Sequence, residues 1–174
     1  MNSVYIQFSA PLYSKKKTCA LCIYTEGFFI PKGRKTMGSP SADKRKAREQ
    51  AFIILFEKSF NSELTIDEIL NIAVESEVIE KNKMTADIVR KAEEHIDDID
   101  GVIEKNLKGW SKQRISKVSL ALLRMAVCEM KYFDKVPVGV SINEAVEICK
   151  VYGSDEDKGF INGILGSIAR EKED

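Results

Sequence analysis

The chain has 174 residues, of which 44% are hydrophobic and 31% charged, and its formal net charge at pH 7 is zero. This length and composition are typical of a soluble globular domain with enough chain to bury a core. No run approaches the roughly 18 consecutive apolar residues of a membrane span, and the N-terminus lacks a signal-peptide pattern, so we expect a cytoplasmic protein without a membrane partner.

Residues 1–40 differ from the rest of the chain. They contain proline and glycine without a sustained helical period, and they include the run Lys15-Lys16-Lys17. Their aromatic content is too high for a typical disordered segment. We expect a poorly ordered N-terminal extension over residues 1–40, followed by one domain over residues 41–174. Met37 is an alternative start of translation, which would leave the preceding residues untranslated.

Apolar residues recur at helical spacing from residue 41 onward, and no segment alternates with period two. The pattern predicts a first helix over residues 43–60 and a third over residues 84–107. Between them, Thr65 and Glu68 have the spacing of a capping box, which predicts the start of the second helix. The buried positions of these three helices are predicted to be Ala47, Ala51, Ile54, Leu55, Ile66, Ile69, Leu70, Ala73, Ile88, Ala92, Ile96, Ile99 and Ile103.

A fourth helix is predicted after Gly109, which ends the third helix, with Ser111 as its N-cap. Its apolar stripe comprises Ile115, Val118, Leu122, Met125, Ala126 and Phe133. The segment Val136-Pro137-Val138 is predicted to be an extended connector, because the residue before a proline avoids the helical region.

Two helices complete the chain. Ser141 and Glu144 have capping-box spacing, which predicts the start of the first, and Gly153 is predicted to end it in a left-handed conformation. The last helix carries three glycines, Gly159, Gly163 and Gly166, which we attribute to close helix–helix approach because glycine destabilises a helix interior. The count is about six to seven helices, so the predicted fold is an all-α bundle.

Four basic residues near the start of the first helix, Lys44, Arg45, Lys46 and Arg48, suggest an anionic partner. Positive charge in a first turn opposes the helix macrodipole, whereas phosphate is attracted to such a site. Residues 1–48 contain ten Lys or Arg against two acidic residues, and residues 49–174 contain 17 against 25. A solvated charged face is the alternative interpretation, and the uneven charge distribution favours a nucleic-acid partner.

Catalytic and metal-binding patterns are weak. Cys19 and Cys22 form a single C-x-x-C motif without a second pair, so we interpret them as thiols rather than a zinc site. Glu94, Asp97 and Asp98 share a helix face beside His95, but a cation site needs more converging ligands. No Gly-rich phosphate loop or paired-histidine motif is present. We therefore predict no metal, no cofactor and no catalytic residue.

Three segments are similar to the NusB family: the basic start Lys44–Glu49, the helix Leu122–Met130, and the combination of Ile142-Asn-Glu-Ala145 with Phe160-Ile-Asn-Gly163. The resemblance extends over about 130 residues, from Ser41 to the end of the chain. It implies a NusB-like helical bundle of two small subdomains, residues 41–108 and residues 109–174.

The resemblance also implies a function without catalysis. NusB proteins pair with NusE, a ribosomal protein, and the pair binds the single-stranded boxA element of nascent ribosomal RNA. Within the transcription elongation complex they regulate termination, because RNA polymerase then reads through terminators. The resemblance leaves open whether the free protein is a monomer or a homodimer.

Site residues follow from the same resemblance. The implied RNA-binding residues are Lys44, Arg45, Lys46, Arg48, Phe56, Glu156, Lys158 and Phe160, and the implied partner interface is Val118, Ser119 and Leu122. Core packing is the alternative role for both phenylalanines. This chain departs from the family at three positions: Ser119, where the family more often has an acidic residue, Glu156, where it has aspartate, and Asp157, where it often has serine.

Two other classes of function are compatible with parts of this pattern. Some ribosomal RNA cytosine methyltransferases begin with a NusB-like domain, but that hypothesis requires a Rossmann-type catalytic domain, and the chain ends at Asp174 without its Gly-rich loop. A bundle that only binds other proteins would show no salt-sensitive RNA affinity.

Overall fold

A computed structural model describes residues 40–107 and 114–173, which lie in the unit formed by residues 31–174. Seven helices and no strand are present in this described part of the chain, which confirms the predicted all-α fold. The helices are α1 (Pro40–Lys58), α2 (Ile66–Glu75), α3 (Lys83–Glu94), α4 (Ile96–Asn106), α5 (Lys117–Tyr132), α6 (Val138–Tyr152) and α7 (Asp155–Glu173).

Helix α5 lies at the centre of the described bundle, packed against α1, α3, α4, α6 and α7. Ten of its 16 residues are buried, and nine of these fall in the continuous stretch 121–130, which only the half-buried Arg124 interrupts. A helix that is buried on nearly every side must satisfy its polar groups inside the protein. The position of α5 therefore determines which polar contacts the other helices have to supply.

The third predicted helix is in fact two helices, α3 and α4, separated at His95 (φ −116°, ψ 25°). The imidazole of His95 stacks on the ring of Tyr132 in α5, with centroids 4.1 Å apart. With the break at His95, α3 and α4 both bury their apolar faces. Ile96 was predicted to be buried on a continuous apolar stripe, but it is only half-buried. The prediction of one helix over residues 84–107 was wrong, because the chain leaves the helical conformation at His95, where the imidazole contacts Tyr132.

Helix α2 begins as predicted. The amide of Glu68 donates to Thr65 Oγ1 (3.2 Å), and the amide of Thr65 donates to Glu68 Oε2 (2.7 Å), which is a complete capping box. The backbone and hydroxyl hydrogen bonds from Thr65 lower the pKa of Glu68. This start depends only on residues three positions apart, so the sequence was sufficient to find it.

Helix α5 begins at Lys117, and its N-cap is Ser116, whose hydroxyl accepts from the amide of Ser119 (3.0 Å). The predicted helix end at Gly109 and cap at Ser111 lie outside the described residues. Of the predicted stripe, Leu122, Met125 and Ala126 are buried, whereas Ile115, Val118 and Phe133 are half-buried.

Helix α6 begins at Val138, immediately after Pro137, rather than at Ser141. Proline fixes its own φ near the helical value, −58° here, so the helix can start directly behind it. Ser141 therefore lies inside α6, buried, and its hydroxyl donates to Glu129 Oε2 of α5 (3.2 Å). The capping box predicted from Ser141 and Glu144 was wrong. The two residues have the spacing of a capping box, but both lie inside α6, where their side chains bond to other helices.

The glycine predictions also need correction. Gly153 follows α6 with φ −112°, not in the left-handed region. A Cβ at Gly153 would lie 2.7 Å from Cys149 Sγ and 3.1 Å from the Cys149 carbonyl oxygen, so the close approach of Cys149 favours glycine there. Gly159 and Gly163 on α7 are exposed, and a Cβ at either would meet nothing within 4 Å, so they do not mediate helix–helix contact in the described chain.

The predicted extension lies outside the described residues except for Pro40, the first residue of α1. Across the described helices, none has both the length and the apolar character that crossing a bilayer would require.

Candidate nucleic-acid interface

The basic residues at the start of α1 occupy three different environments. Lys44 is exposed and makes no ion pair with any described residue. Lys46 is half-buried, and its Nζ lies 2.6 Å from Glu80 Oε1 in the segment between α2 and α3. Arg45 is the most solvent-accessible arginine of the cluster, with 54% of its side chain exposed. Lys44 and Arg45 therefore present positive charge to solvent at this end of the bundle.

Arg45 is nevertheless held in place. Its Nε and Nη2 donate to the two carboxylate oxygens of Glu144 on α6, at 3.1 and 3.0 Å. The hydrogen bond and the negative charge of Glu144 raise the pKa of Arg45 above its ordinary value. Only 12% of the Glu144 side chain is exposed, so this carboxylate has little freedom to leave the arginine.

Arg48 was predicted to bind RNA, but the structure buries it. The residue is 3% exposed, and its Nε lies 2.9 and 2.8 Å from the two oxygens of Glu129, which is fully buried in α5. A buried carboxylate needs a paired cation and further donors, and here Arg48 and the hydroxyl of Ser141 supply them. Arg48 therefore joins α1 to α5 instead of presenting a surface charge.

Two more polar contacts fix the first half of α1. Tyr152 at the end of α6 donates from its hydroxyl to Glu49 Oε1 (2.8 Å), and burial and the charge of Glu49 both raise the pKa of Tyr152. Thr85 of α3 donates to the carbonyl of Ala47 (3.1 Å) and contacts Gln50 Oε1 (3.0 Å). Helix α1 is thus tied to α3, α5 and α6 within three turns.

The C-terminal half of α1 carries an aromatic cluster. Phe56 lies between Phe52 and Phe60, with ring centroids 5.9 and 5.1 Å away, and Phe52 contacts the ring of Tyr152 at 5.0 Å. Phe52 is buried, whereas Phe56 and Phe60 are half-buried. Phe56 therefore packs against its neighbours, as the core-packing alternative predicts. Part of the residue also remains accessible, which an RNA-binding role requires.

Two residues of this cluster were missed on the sequence, Phe60 and Lys117. Lys117 Nζ lies 3.5 Å from the centroid of the Phe60 ring and donates to the carbonyl of Ser59 (2.9 Å). A signal was available for each: Lys117 is a cation in a first helical turn, against the macrodipole, and Phe60 follows Phe56 at i+4. The same criterion that identified Lys44 would have identified Lys117.

Asp157 joins the first turns of α5 and α7. Its Oδ1 accepts from the hydroxyls of Ser116 (3.0 Å) and Ser119 (2.5 Å), and its Oδ2 accepts from the amide (2.9 Å) and hydroxyl (2.8 Å) of Ser154. Burial alone would raise the pKa of Asp157, but the hydrogen bonds from Ser119, Ser154 and Ser116 outweigh it, so the net pKa is lowered. The charged carboxylate thus holds two helix starts together.

The remaining RNA-binding candidates lie in the first two turns of α7. Glu156 is exposed, Phe160 is half-buried, and Lys158 is half-buried with its Nζ 2.6 Å from Asp155 Oδ1. Through Asp157 these residues are joined to the start of α5, where Lys117 contacts Phe60. The end of α1 and the starts of α5 and α7 therefore form one surface with half-exposed rings and cations.

The residues expected at a protein interface differ in accessibility. Ser119 and Leu122 are both 0% exposed in α5, whereas Val118 is half-buried. A partner can contact Val118 directly. Ser119 and Leu122 can influence such a contact only through their neighbours, because neither reaches the surface of the described bundle.

The two surfaces are at opposite ends of α1, which has 19 residues and is therefore about 28 Å long. One end presents Lys44 and Arg45, and the other presents aromatic rings with Lys117. Cations bind a phosphate backbone and half-exposed rings can stack on unpaired bases, so this pair of surfaces suits an extended single strand. Among the described residues, no group of His, Cys, Asp and Glu side chains could hold a metal ion.

Comparisons with known proteins give one consistent result. The model of the NusB family matches residues 45–170 of this chain. A transcription antitermination protein NusB from Finegoldia magna is 39% identical over 132 residues, which is 75% of this chain and 96% of that protein. Its counterpart from Bacillus mycoides is 41% identical over 128 residues, 72% of this chain and 95% of the relative.

Solved structures agree with the sequence matches. T. maritima NusB has a TM-score of 0.66 and 34% identity, covering 78% of this chain and 94% of that chain. A complex of the antitermination factors NusB and NusE with double-stranded RNA contains a chain with a TM-score of 0.67 and 26% identity, covering 74% of this chain and 97% of that chain. Both similarities extend over almost the entire matched chain.

Proposed function

The chain belongs to the NusB family of transcription antitermination factors, and from this premise we propose that it binds the boxA element of nascent ribosomal RNA together with NusE. In this role it joins the transcription elongation complex in the cytoplasm and promotes readthrough by RNA polymerase. Its two subdomains, residues 41–108 and residues 109–174, bind and position these partners without a catalytic step.

The observation that carries the RNA proposal is the exposed pair Lys44 and Arg45 at the start of α1. Both residues retain accessible charge although Lys46 and Arg48 are engaged within the protein. Exposed cations in the first turns of a helix oppose the macrodipole, so they are destabilising unless an anion is bound. Phosphate supplies that anion through contacts with the Lys44 and Arg45 side chains.

The aromatic surface supplies the second part of the RNA site. Phe56 and Phe160 are half-buried, so each ring has a packed side that fixes it and an accessible side. A base stacked on such a ring contributes about 1–3 kcal/mol. Lys158 and Lys117 lie on the same surface and can approach the phosphates between the stacked bases.

NusE is proposed to bind beside this surface, at the start of α5. The structural relative described above is a complex of NusB with NusE and RNA, which supports a shared arrangement. Val118 is the one accessible member of the expected interface. Ser119 acts through Asp157, to which its hydroxyl donates, and so places the first turn of α7 beside the partner.

The test is binding of the full chain to a boxA-type single-stranded RNA, with and without NusE, across a salt series and against a scrambled RNA. We expect binding that NusE strengthens, that prefers boxA, and that weakens as salt increases. A folded sample with no preference for boxA under any condition would refute the proposal. Salt-independent binding to NusE alone would instead support a bundle that recognises only proteins.

Lys44→Ala tests the role of the helix start. Loss of one phosphate contact should weaken binding and reduce the slope of log affinity against log salt by about 0.7, the value for single strands. Lys105→Ala is the matched control, because Lys105 is also exposed but lies at the end of α4, a helix that carries neither surface, where it pairs with Glu171 near the end of α7. Equal salt slopes for Lys44→Ala and the unmodified protein would remove Lys44 from the RNA site.

A further inference from the structure

Arg45 differs from the other proposed RNA contacts in how its guanidinium is held. Glu144 accepts from Nε and from Nη2, so the carboxylate occupies one edge of the guanidinium in a two-bond arrangement. A guanidinium has five N–H donors in a rigid plane. Glu144 takes two of them, and the remaining donors, two on Nη1 and one on Nη2, point away from the carboxylate.

Glu144 is itself fixed by its surroundings. It lies in α6, whose inner face is anchored by the buried residues Ser141, Ala145, Ile148, Cys149 and Tyr152. Its side chain is only 12% exposed, whereas that of Arg45 is 54% exposed. The carboxylate is therefore the fixed member of the pair, and the arginine is the member that reaches solvent.

The next turn of α1 is tied to the same helix, because Glu49 accepts from the Tyr152 hydroxyl. Arg45 and Glu49, which are one turn apart on α1, thus both bond to side chains of α6. The free edge of Arg45 consequently has a defined direction before any ligand binds.

We infer that Glu144 is a positioning residue that sets the specificity of RNA binding by orienting the free edge of the Arg45 guanidinium toward a phosphate. The inference rests on the proposed function and adds a residue to it. Glu144 contacts Arg45, not RNA. Its effect comes from restricting an arginine that would otherwise sample many rotamers and lose that freedom on binding.

Glu144 also has an opposing effect, because its negative charge lies near the phosphate and repels it. Repulsion acts on any RNA. A phosphate contact carries no sequence information by itself, so orientation favours only a strand whose bases, held at the aromatic surface, fix its phosphates in register with Arg45. The two effects are therefore separated by comparing boxA with scrambled RNA, and affinity for either RNA alone does not separate them. Specificity is the difference between the two affinities.

Glu144→Gln is the test variant, and Glu147→Gln is its matched control. Glu147 lies on the same helix, carries the same charge and also raises the pKa of Arg45 through space, but it hydrogen-bonds to Lys150 instead of Arg45. Both variants change the net charge by one unit. Only Glu144→Gln removes the carboxylate that fixes the guanidinium.

The measurement is the ratio of affinities for boxA-type and scrambled single-stranded RNA, with the full chain and NusE present. We expect Glu144→Gln to lower this ratio by about two- to tenfold, the factor expected from ordering one arginine side chain on binding. Glu147→Gln should leave the ratio unchanged while raising both affinities slightly. Circular dichroism and thermal melting of each variant establish that the bundle is intact.

The outcomes are distinct. An unchanged ratio in Glu144→Gln, from a protein that does prefer boxA, overturns the role of Glu144 and leaves the proposed function in place. An equal fall of the ratio in both variants assigns the effect to charge alone and also overturns it. If the unmodified protein shows no preference for boxA, the proposed function fails and this inference fails with it.

Discussion

Arg48 and Glu129 are 81 positions apart in the sequence and form an ion pair in the interior. A basic cluster at a helix start suggests four equivalent surface cations, and three of the four have partners elsewhere in the chain. A signal for Arg48 was present in the sequence, because it falls on the same helical stripe as Ala51, Phe52 and Leu55. Glu129 likewise interrupts an apolar run. Two charges on two apolar faces suggest that they pair with each other.

Arg48→Ala should therefore destabilise the protein rather than selectively weaken RNA binding. The change leaves Glu129 buried without its cation, which costs about 3–5 kcal/mol. Urea unfolding followed by circular dichroism gives the free energy of unfolding. Arg45→Ala is the matched control at the exposed end of the same helix, and its ion pair should contribute about 1 kcal/mol or less.

An equal loss of stability in the two arginine variants would contradict the distinction between buried and exposed pairs. The same comparison bears on function. RNA affinity of Arg45→Ala can be interpreted directly because the bundle remains folded, whereas a weak signal from Arg48→Ala reports mainly the unfolded fraction.

Ser119 and Asp157 illustrate a different relation between residues. The family resemblance places an acidic residue at the first position and often a serine at the second, and this chain has the two reversed. In the structure the Ser119 hydroxyl donates to Asp157 at 2.5 Å. The Ser119 hydroxyl of α5 therefore supplies a donor to a carboxylate of α7, which joins the two helices at this point.

Helix starts show which elements the sequence could predict. Thr65 and Glu68 cap each other, and their contact needs no other part of the chain. Ser141 and Glu144 have the same spacing, but Pro137 starts α6 three residues earlier. Their side chains then turn to Glu129 and to Arg45. Capping-box spacing therefore predicts a helix start only under two conditions. No proline just upstream starts the helix earlier, and the two side chains have no hydrogen-bond partner in another helix.

Asp157 hydrogen-bonds to serines at the starts of two helices, Ser116 and Ser119 of α5 and Ser154 before α7, and its effect on stability should depend on pH. The pKa of Asp157 is lowered in the folded protein from an ordinary value of 3.8. A lowered pKa stabilises the folded state above the unfolded pKa, and that stabilisation is lost as pH falls through the folded pKa. Asp157→Asn should thus be less stable than the unmodified protein at pH 7, by about 1 kcal/mol or more, and the difference should shrink below about pH 4.

The measurement is urea unfolding of both proteins at several pH values between 7 and 3. Glu156→Gln is the control, since Glu156 lies in the same helical turn, is exposed, and carries the same charge. A constant difference between Asp157→Asn and the unmodified protein across this range would show that the charge of Asp157 does not contribute.

Within the described residues, the bundle is organised around α5, which packs against five of the other six described helices. The all-α architecture and most buried positions follow from apolar periodicity, because the core needs only one apolar face per helix. The division into α3 and α4, the pairing of Arg48 with Glu129, and the solvent exposure of Gly159 and Gly163 depend on contacts between distant segments. No local pattern contains that information.

Leu122→Ala tests the central role of α5 and, at the same time, the expected partner interface. Leu122 is fully buried, so its truncation should cost about 2–5 kcal/mol and lower the melting temperature by roughly 5–15 °C. Val118→Ala removes a half-buried side chain one turn earlier and should cost less. NusE binding should weaken in Val118→Ala at temperatures where the protein is folded, and a NusE affinity equal to that of the unmodified protein would exclude Val118 from the interface.

The buried pair of Arg48 and Glu129 also constrains how this protein can evolve. Replacing both residues with apolar side chains of similar volume is often neutral or stabilising. Each single replacement, however, leaves one charge buried and unpaired, so any stepwise route crosses a poorly folded intermediate. Lineages should therefore retain the two charges or exchange them together, and positions 48 and 129 should covary although both are buried.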